Sequence, residues 1–166
     1  EGIRIAVIGL TTPAVPRWLP KHLWKGLLFG DMAEAAHYWT KKVMETEHPD
    51  VIIGLFHTGF GSDRDDEDGR MENAGKLIAE DVPGFDVIIL GHDHRIRKEK
   101  VTTRAGEEVL VLNSGSAARN LAYAEITLTV HEDKKAVISS VNGSLLTVPE
   151  NPPTGKFARR FRTDRK

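Results

Sequence analysis

The segment Val87-Ile88-Ile89-Leu90-Gly91-His92-Asp93-His94 leads from an apolar run directly into a cluster of polar side chains. A short apolar run of this kind is typical of a strand that is buried in a parallel sheet. The same order occurs upstream, where the apolar residues 51–56 precede His57-Thr58-Gly59. Because ligands of parallel α/β sheets bind at the carboxyl ends of the strands, both histidine-bearing segments are predicted to border a binding site.

The surrounding pattern predicts an α/β (α+β) fold, with parallel strands and their helices first and antiparallel strands after His94. Asp31 is a candidate helix N-cap, and that helix should end before Pro49, because a residue preceding proline avoids the helical region. The prolines between residues 9 and 30 favour a loop. The first strand, at residues 3–8, contains a short apolar run of the kind that is buried in a parallel sheet, and such a strand wants neighbours on both sides. The further predicted elements are strands at 51–56, 86–90, 96–102, 109–112, 123–131 and 136–148, and a helix at 72–80.

Composition excludes several classes of protein. The chain has 166 residues, of which 40% are hydrophobic, a formal net charge of −1 and no cysteine. These values exclude wholesale disorder, a disulfide scaffold, a thiolate zinc site and a cysteine nucleophile, and they give no broad basic face for a nucleic acid polymer. No apolar run approaches the roughly 20 residues of a membrane span. Residues 1–150 are predicted to form a domain and residues 151–166 a basic tail or linker, with phosphate or RNA binding as the alternative for the tail.

Three histidines form the candidate metal site. His92 and His94 are two residues apart and, in an extended segment, would project to the same side, whereas Asp93 would point away. Neutral imidazole is a common ligand of transition metals, so His57, His92 and His94 are the predicted ligands. The spacing is compatible with a mononuclear site of three histidines and with part of a binuclear site. The other four histidines are expected to face solvent: His22, His37, His48 and His131.

The two histidine-bearing segments resemble the last two motifs of the calcineurin-like metallophosphoesterases. Residues 5–13, residues 69–74 and Leu112-Asn113-Ser114-Gly115-Ser116 resemble the secreted branch that contains 5′-nucleotidases and 2′,3′-cyclic-nucleotide 2′-phosphodiesterases. The resemblance covers residues 2–148. It implies a four-layer β-sandwich with flanking helices, two divalent ions (Zn, Mn or Fe) and hydrolysis of nucleotide phosphoesters. The nucleophile it implies is a metal-bound hydroxide, so no side chain is assigned as catalytic.

The resemblance also implies roles for particular residues. By motif, His57 and His92 match ligands of one ion and His94 matches a ligand of the other. Thr58, Asn113 and Ser114 could support these ligands through hydrogen bonds, with ordinary turn hydrogen bonding as the alternative. In the family, Asp-x-His, Gly-Asp and Gly-Asn-His-Glu or Gly-Asn-His-Asp come first in the chain. This series, which supplies the bridging aspartate and the remaining ligands, is not found here.

The chain is therefore expected to be a partial sandwich whose N-terminal half is absent, to begin partway through its domain, and to be inactive alone. The alternatives are a non-catalytic fragment that binds a metal or a partner, and a mononuclear hydrolase. An exposed sheet edge would favour a homodimer. The expected partner is a nucleotide substrate, and the family branch implies a periplasmic or extracellular location.

Overall fold

A computed structural model describes residues 2–61, 71–131 and 136–149. The turn predicted at 132–134, most of the polar stretch at 59–69 and the tail at 151–166 lie outside the described residues. The elements are, in chain order, β1 (Ile5–Thr11), α1 (Val15–Trp18), α2 (Lys21–Trp24), α3 (Met32–Thr46), β2 (Val51–His57), α4 (Gly75–Asp81), β3 (Val87–Leu90), β4 (Ile96–Thr102), β5 (Glu108–Ser114), β6 (Asn120–Val130) and β7 (Ala136–Thr147).

The strands form two sheets. The larger has the order β1-β2-β3-β5-β4, in which β1, β2, β3 and β5 are parallel and β4 is antiparallel to β5. The second sheet is the antiparallel pair β6–β7, and its small residues Ala122 and Ala124 pack against Leu110 and Leu112 of β5. The predicted mixed α/β class is confirmed. One pairing differs from prediction, because β5 returns to lie parallel to β3 instead of having only antiparallel neighbours.

The long helix α3 follows its sequence signals closely. The Asp31 carboxylate accepts a hydrogen bond from the Glu34 amide at 2.8 Å, which satisfies one of the free amides at the helix start. Met32, Ala36 and Thr40 are spaced by four residues and form the buried face against the sheet. The helix ends at Thr46. Cap, periodicity and stop signal are all local, which explains why this prediction is confirmed.

The segment between β1 and α3 is more helical than predicted. It contains two single-turn helices, α1 and α2, where a loop was expected. Pro16 lies in the first turn of α1 and Pro20 is the N-cap residue of α2. Proline is tolerated in the first turn because the amide it lacks has no partner within the helix there. The prolines therefore limit the length of these helices without preventing them.

Strand β1 is an edge strand in the described part of the chain, with β2 as its neighbour, although its apolar sequence favours a neighbour on each side. Its side chains alternate: Ile8 is buried in the core under α3, whereas Ile5 and Val7 are 59% and 60% exposed on the opposite face. Leu55 of the adjacent β2 is also exposed on the sheet. The β6–β7 pair packs on β3 and β5. A homodimer through an exposed sheet edge stays a prediction.

Asp86, just before β3, supplies a pH-dependent contribution to stability. Burial raises the pKa of its carboxyl above the usual 3.8, which outweighs the hydrogen bond donated by the Ile52 amide, and Glu107 adds to the rise by repulsion. Because the folded state holds this proton more tightly than the unfolded chain, the contribution of Asp86 to stability is complete below pH 3.8. It is lost as the pH rises through the raised pKa.

We expect the Asp86→Asn variant to lose less unfolding free energy than the wild-type chain as the pH rises across that window. The carboxamide oxygen still accepts from the Ile52 amide, while the buried charge is gone. Urea unfolding at a series of pH values measures the difference. If the unfolding free energies of the two proteins change in parallel with pH, ionisation of the buried Asp86 carboxyl does not destabilise the fold.

Candidate metal centre at the strand ends

The parallel pairing of β2 and β3 brings two of the predicted ligands together. Phe56 is level with Leu90 in the register, so the chain leaves both strands at the same edge of the sheet. The ring centroids of His57 and His92 are 5.2 Å apart, with an interplanar angle of 63°. An open groove of about 510 Å³ runs along the ends of β1, β2 and β3 to His57. His57 therefore borders a space that a ligand could enter.

His94 does not continue an extended segment, so the alternation argument used for it is wrong. Strand β3 ends at Leu90, and His92 and His94 both have left-handed backbone conformations, with φ of 78° and 58°. Alternation of side chains holds only where the backbone is extended. His94 is exposed. Its place in the metal site stays a prediction.

Asp93, which the sequence argument set aside, holds this turn in place. Its Oδ1 accepts from the Asn113 side-chain amide at 2.7 Å and from the Arg95 amide at 3.1 Å, and its Oδ2 accepts from the Phe60 amide at 3.1 Å. The carboxylate thus ties the turn after β3 to the end of β5 and to the loop after β2. Left-handed conformations of non-glycine residues are strained, and these bonds offset the strain at His92 and His94.

Glu72 and Trp18 contact His92, and Arg17 contacts Glu72. Glu72 Oε1 lies 2.7 Å from His92 Nε2, and Glu72 Oε2 lies 3.5 Å from Arg17 Nη1. The Trp18 ring stacks on the His92 ring at a centroid distance of 4.8 Å and an angle of 24°. Sequence reasoning did not assign these residues to the site. The signal for Glu72 was its place in a segment that resembles the nucleotidase branch.

The hydrogen bonds of the three predicted supporting residues run to neighbouring segments of the chain and not to the histidine rings. Thr58 is fully buried, and its hydroxyl donates to the Glu72 carbonyl at 2.8 Å and accepts from the Ala74 amide at 2.9 Å. The buried Asn113 bonds Asp93 and accepts from the Gly115 amide at 3.0 Å. For Ser114, the carbonyl accepts from the Asn120 side chain at 3.3 Å. Thr58 and Asn113 therefore fix the segments that carry Glu72 and His92.

Helix α4 begins later than predicted because its first amides bond the loop after β2. The Gly75 amide donates to the Gly59 carbonyl at 3.0 Å, and the Lys76 amide donates to the Phe60 carbonyl at 2.6 Å. A Cβ on Gly75 would lie 2.9 Å from that Gly59 carbonyl oxygen, so only glycine allows this approach. Glu72 consequently lies before the helix, beside the histidines.

The donor set fits part of a metal site. His57 and His92 provide two adjacent imidazoles, which suit a divalent transition metal. Within residues 2–61, 71–131 and 136–149, the structure contains no group of three or more His, Asp or Glu side chains placed to hold one ion. His22, His37, His48 and His131 are exposed, as predicted. No helix in the described part of the chain is long and apolar enough to cross a membrane.

The fold is that of the calcineurin-like phosphoesterase class. In structure, the chain is similar to the calcineurin-like phosphoesterase YfkN of Bacillus subtilis, with a TM-score of 0.72 and 24% identity over 89% of this chain and 46% of that one. It is also similar to a 5′-nucleotidase precursor of Thermus thermophilus, with a TM-score of 0.67 and 23% identity over 88% of this chain and 28% of that one. The resemblance inferred from the motifs is confirmed.

Sequence comparison gives relatives of the same kind. The chain is 27% identical over 146 residues to the 2′,3′-cyclic-nucleotide 2′-phosphodiesterase/3′-nucleotidase of Haemophilus influenzae, covering 82% of this chain and 22% of that protein. It is 25% identical to the trifunctional nucleotide phosphoesterase protein YfkN of Bacillus subtilis, covering 99% of this chain and 10% of that protein. No family model matches the chain. The chain thus spans less than a quarter of the length of either relative.

Proposed function

We propose that this chain is part of a metal-dependent hydrolase of nucleotide phosphoesters, a 5′-nucleotidase or a 2′,3′-cyclic-nucleotide phosphodiesterase. The observation that carries the proposal is the contact between His57 and His92 at the ends of adjacent parallel strands. The names of the relatives support nucleotides as the substrate class. The proposed location is periplasmic or extracellular, in line with the precursor form named for the Thermus thermophilus neighbour.

The proposed roles follow from the positions of the side chains. His57 and His92 would hold one divalent ion, and His94 would contribute to a second. Bound ions of this kind polarise phosphoryl oxygens and lower the pKa of water, so the chemistry needs no nucleophilic side chain. The contribution of this chain is to fix the imidazoles: Asp93 holds the turn that carries His92, and Thr58 holds the segment beside it. The groove beside His57 gives access to the strand ends.

We further propose that the chain by itself is inactive or very weakly active. Two cations held close together need an anionic carboxylate between them, and the described residues contain no group of three or more His, Asp or Glu side chains placed to hold an ion. The Glu72 carboxylate, which lies beside His92, is in contact with the ring nitrogen Nε2 itself. The mononuclear alternative with three histidine ligands has no support in the described part of the chain, where the three do not form one group. A non-catalytic role in binding a metal or a partner remains as the second candidate.

Hydrolysis assays test both proposals. The isolated chain, supplied with Mn²⁺ or Zn²⁺ and a chromogenic phosphodiester, is expected to show no turnover above that of its His92→Ala variant. Robust turnover that His92→Ala abolishes would overturn the proposed inactivity. The full-length protein is expected to release phosphate from 5′-nucleotides or to open 2′,3′-cyclic nucleotides, and to lose this activity with a chelator. A full-length protein that acts on neither class would overturn the proposed function.

A further inference from the structure

We propose that Glu72 is a positioning residue that fixes the tautomer and orientation of His92, and that Trp18 holds the same ring from its face. The inference deepens the proposed function, because it assumes that His92 is a metal ligand. It concerns the ring itself, however, and can be tested without any metal. Its basis is the 2.7 Å contact between Glu72 Oε1 and His92 Nε2, together with the 4.8 Å ring stack.

The hydrogen bond decides which nitrogen of the imidazole carries the proton. An ionised carboxylate can only accept, so Nε2 of His92 must be the donor. In the neutral ring, this leaves the lone pair on Nδ1 for a cation. The two side chains are only 18% and 23% exposed, which protects the bond from competition by water. A carboxylate that fixes one imidazole nitrogen and leaves the other for the metal is a common arrangement around metal-bound histidines.

The position of Glu72 is itself fixed from two sides. Its carbonyl accepts from the buried Thr58 hydroxyl, which also accepts from the amide of Ala74. Its second carboxylate oxygen lies 3.5 Å from the Arg17 guanidinium. Glu72 therefore reaches His92 from a backbone that is anchored to the end of β2, the strand that carries His57. The Glu72 carboxylate and the rings of His57 and His92 are therefore held in a fixed arrangement.

Trp18 is placed by the connection after β1. The Thr12 amide donates to the His57 carbonyl at 2.9 Å, and the Thr12 hydroxyl accepts from the Ala14 amide at 3.2 Å. These bonds attach the start of α1 to the end of β2, so the single turn of α1 brings Trp18 over the His92 ring. This gives the Thr11-Thr12-Pro13 segment a structural role that its sequence alone did not reveal.

The test is the tautomer of His92 in the metal-free chain, read from long-range nitrogen–hydrogen NMR correlations of the imidazole at about pH 9, where histidine is neutral. We expect the wild-type ring to be protonated only at Nε2. Glu72→Ala should give a mixture of tautomers, and Glu72→Gln, whose amide oxygen can still accept, should retain the wild-type tautomer. Glu108→Gln, at an exposed ion pair with Lys100, is the control and should change nothing.

Metal affinity separates this inference from the proposed function. Titration with Co²⁺, followed by its visible absorption, should show affinity lowered about 10- to 100-fold in Glu72→Ala and unchanged in Glu108→Gln. If His92 is locked in one tautomer but the wild-type chain binds no metal, the positioning role stands and the proposed ligand role fails. If wild type and Glu72→Ala share one tautomer distribution, while their backbone spectra show the same fold, the positioning role is overturned.

Discussion

Replacing His92 with alanine is expected to abolish most of the divalent-metal affinity of this chain. The loss should exceed the roughly 10- to 100-fold reduction that follows removal of a residue supporting a ligand. The physical reason is that His57 and His92 are the adjacent imidazoles at the strand ends, and a single remaining imidazole cannot chelate an ion. Calorimetric titration of the metal-free chain with Zn²⁺ measures this change directly.

A matched control distinguishes the proposed site from adventitious binding. His37 is exposed on α3, so His37→Ala removes an imidazole without touching the strand ends. Zinc affinity should survive in His37→Ala and be lost in His92→Ala. Equal affinity in both variants would place the metal elsewhere on the surface and contradict the assignment of His92.

Truncation of Ile88 to alanine should lower the free energy of unfolding by about 2–5 kcal/mol. Ile88 is fully buried in the centre of the larger sheet, between Gly54 on β2 and Val111 on β5. Its Cγ1 would lie 3.2 Å from a Cβ on Gly54, which shows how tightly the neighbouring strand fits against it. The truncation leaves a cavity that the surrounding side chains cannot close. Urea unfolding gives the difference through the transition midpoint.

Ile5→Ala is the matched control, since it is the same substitution on a strand of the same sheet. Ile5 is 59% exposed at the β1 edge, so its truncation should change stability by no more than about 0.5 kcal/mol. Ile88→Val, which removes one methylene, should lower the free energy of unfolding by about 0.5–1.5 kcal/mol. This milder variant allows the measurement to be made if Ile88→Ala does not fold. Similar losses for the Ile5 and Ile88 truncations would show that the described burial does not govern stability here.

Much of the fold was predictable because its signals are local. The cap at Asp31, the buried spacing along α3 and the stop before Pro49 each act within a few residues, and α3 follows them. The apolar runs likewise became β2 and β3. The exposed face of β1 was not predictable, since an apolar run carries no information about whether a neighbouring layer covers it. Pairing of β5 with β3 depends on a contact between residues far apart in the chain.

The candidate site was predictable only for residues whose side chains can bind a metal and which directly follow an apolar strand. His57 and His92 follow apolar strands, and the parallel pairing brings them together. The bracing of this turn by Asp93, through Asn113 and Phe60, was not predictable, because the backbone on both sides of Asp93 is left-handed and not extended. Glu72 precedes α4, and its role depends on hydrogen bonds between that segment and the loop after β2. No local residue pattern around Asp93 or Glu72 predicts the contacts that these side chains make.

By itself, the sequence determined the α/β class, the helix α3, the strands and the histidines that end two of them, because these depend on hydrophobic period, capping and backbone preference within short windows. Only the tertiary structure decided that Glu72 and Trp18 meet His92, and that Asp93 braces the turn after β3. The physical reason is that these contacts join segments brought together by strand pairing, and the directions of their side chains follow from backbone angles that residue type leaves open.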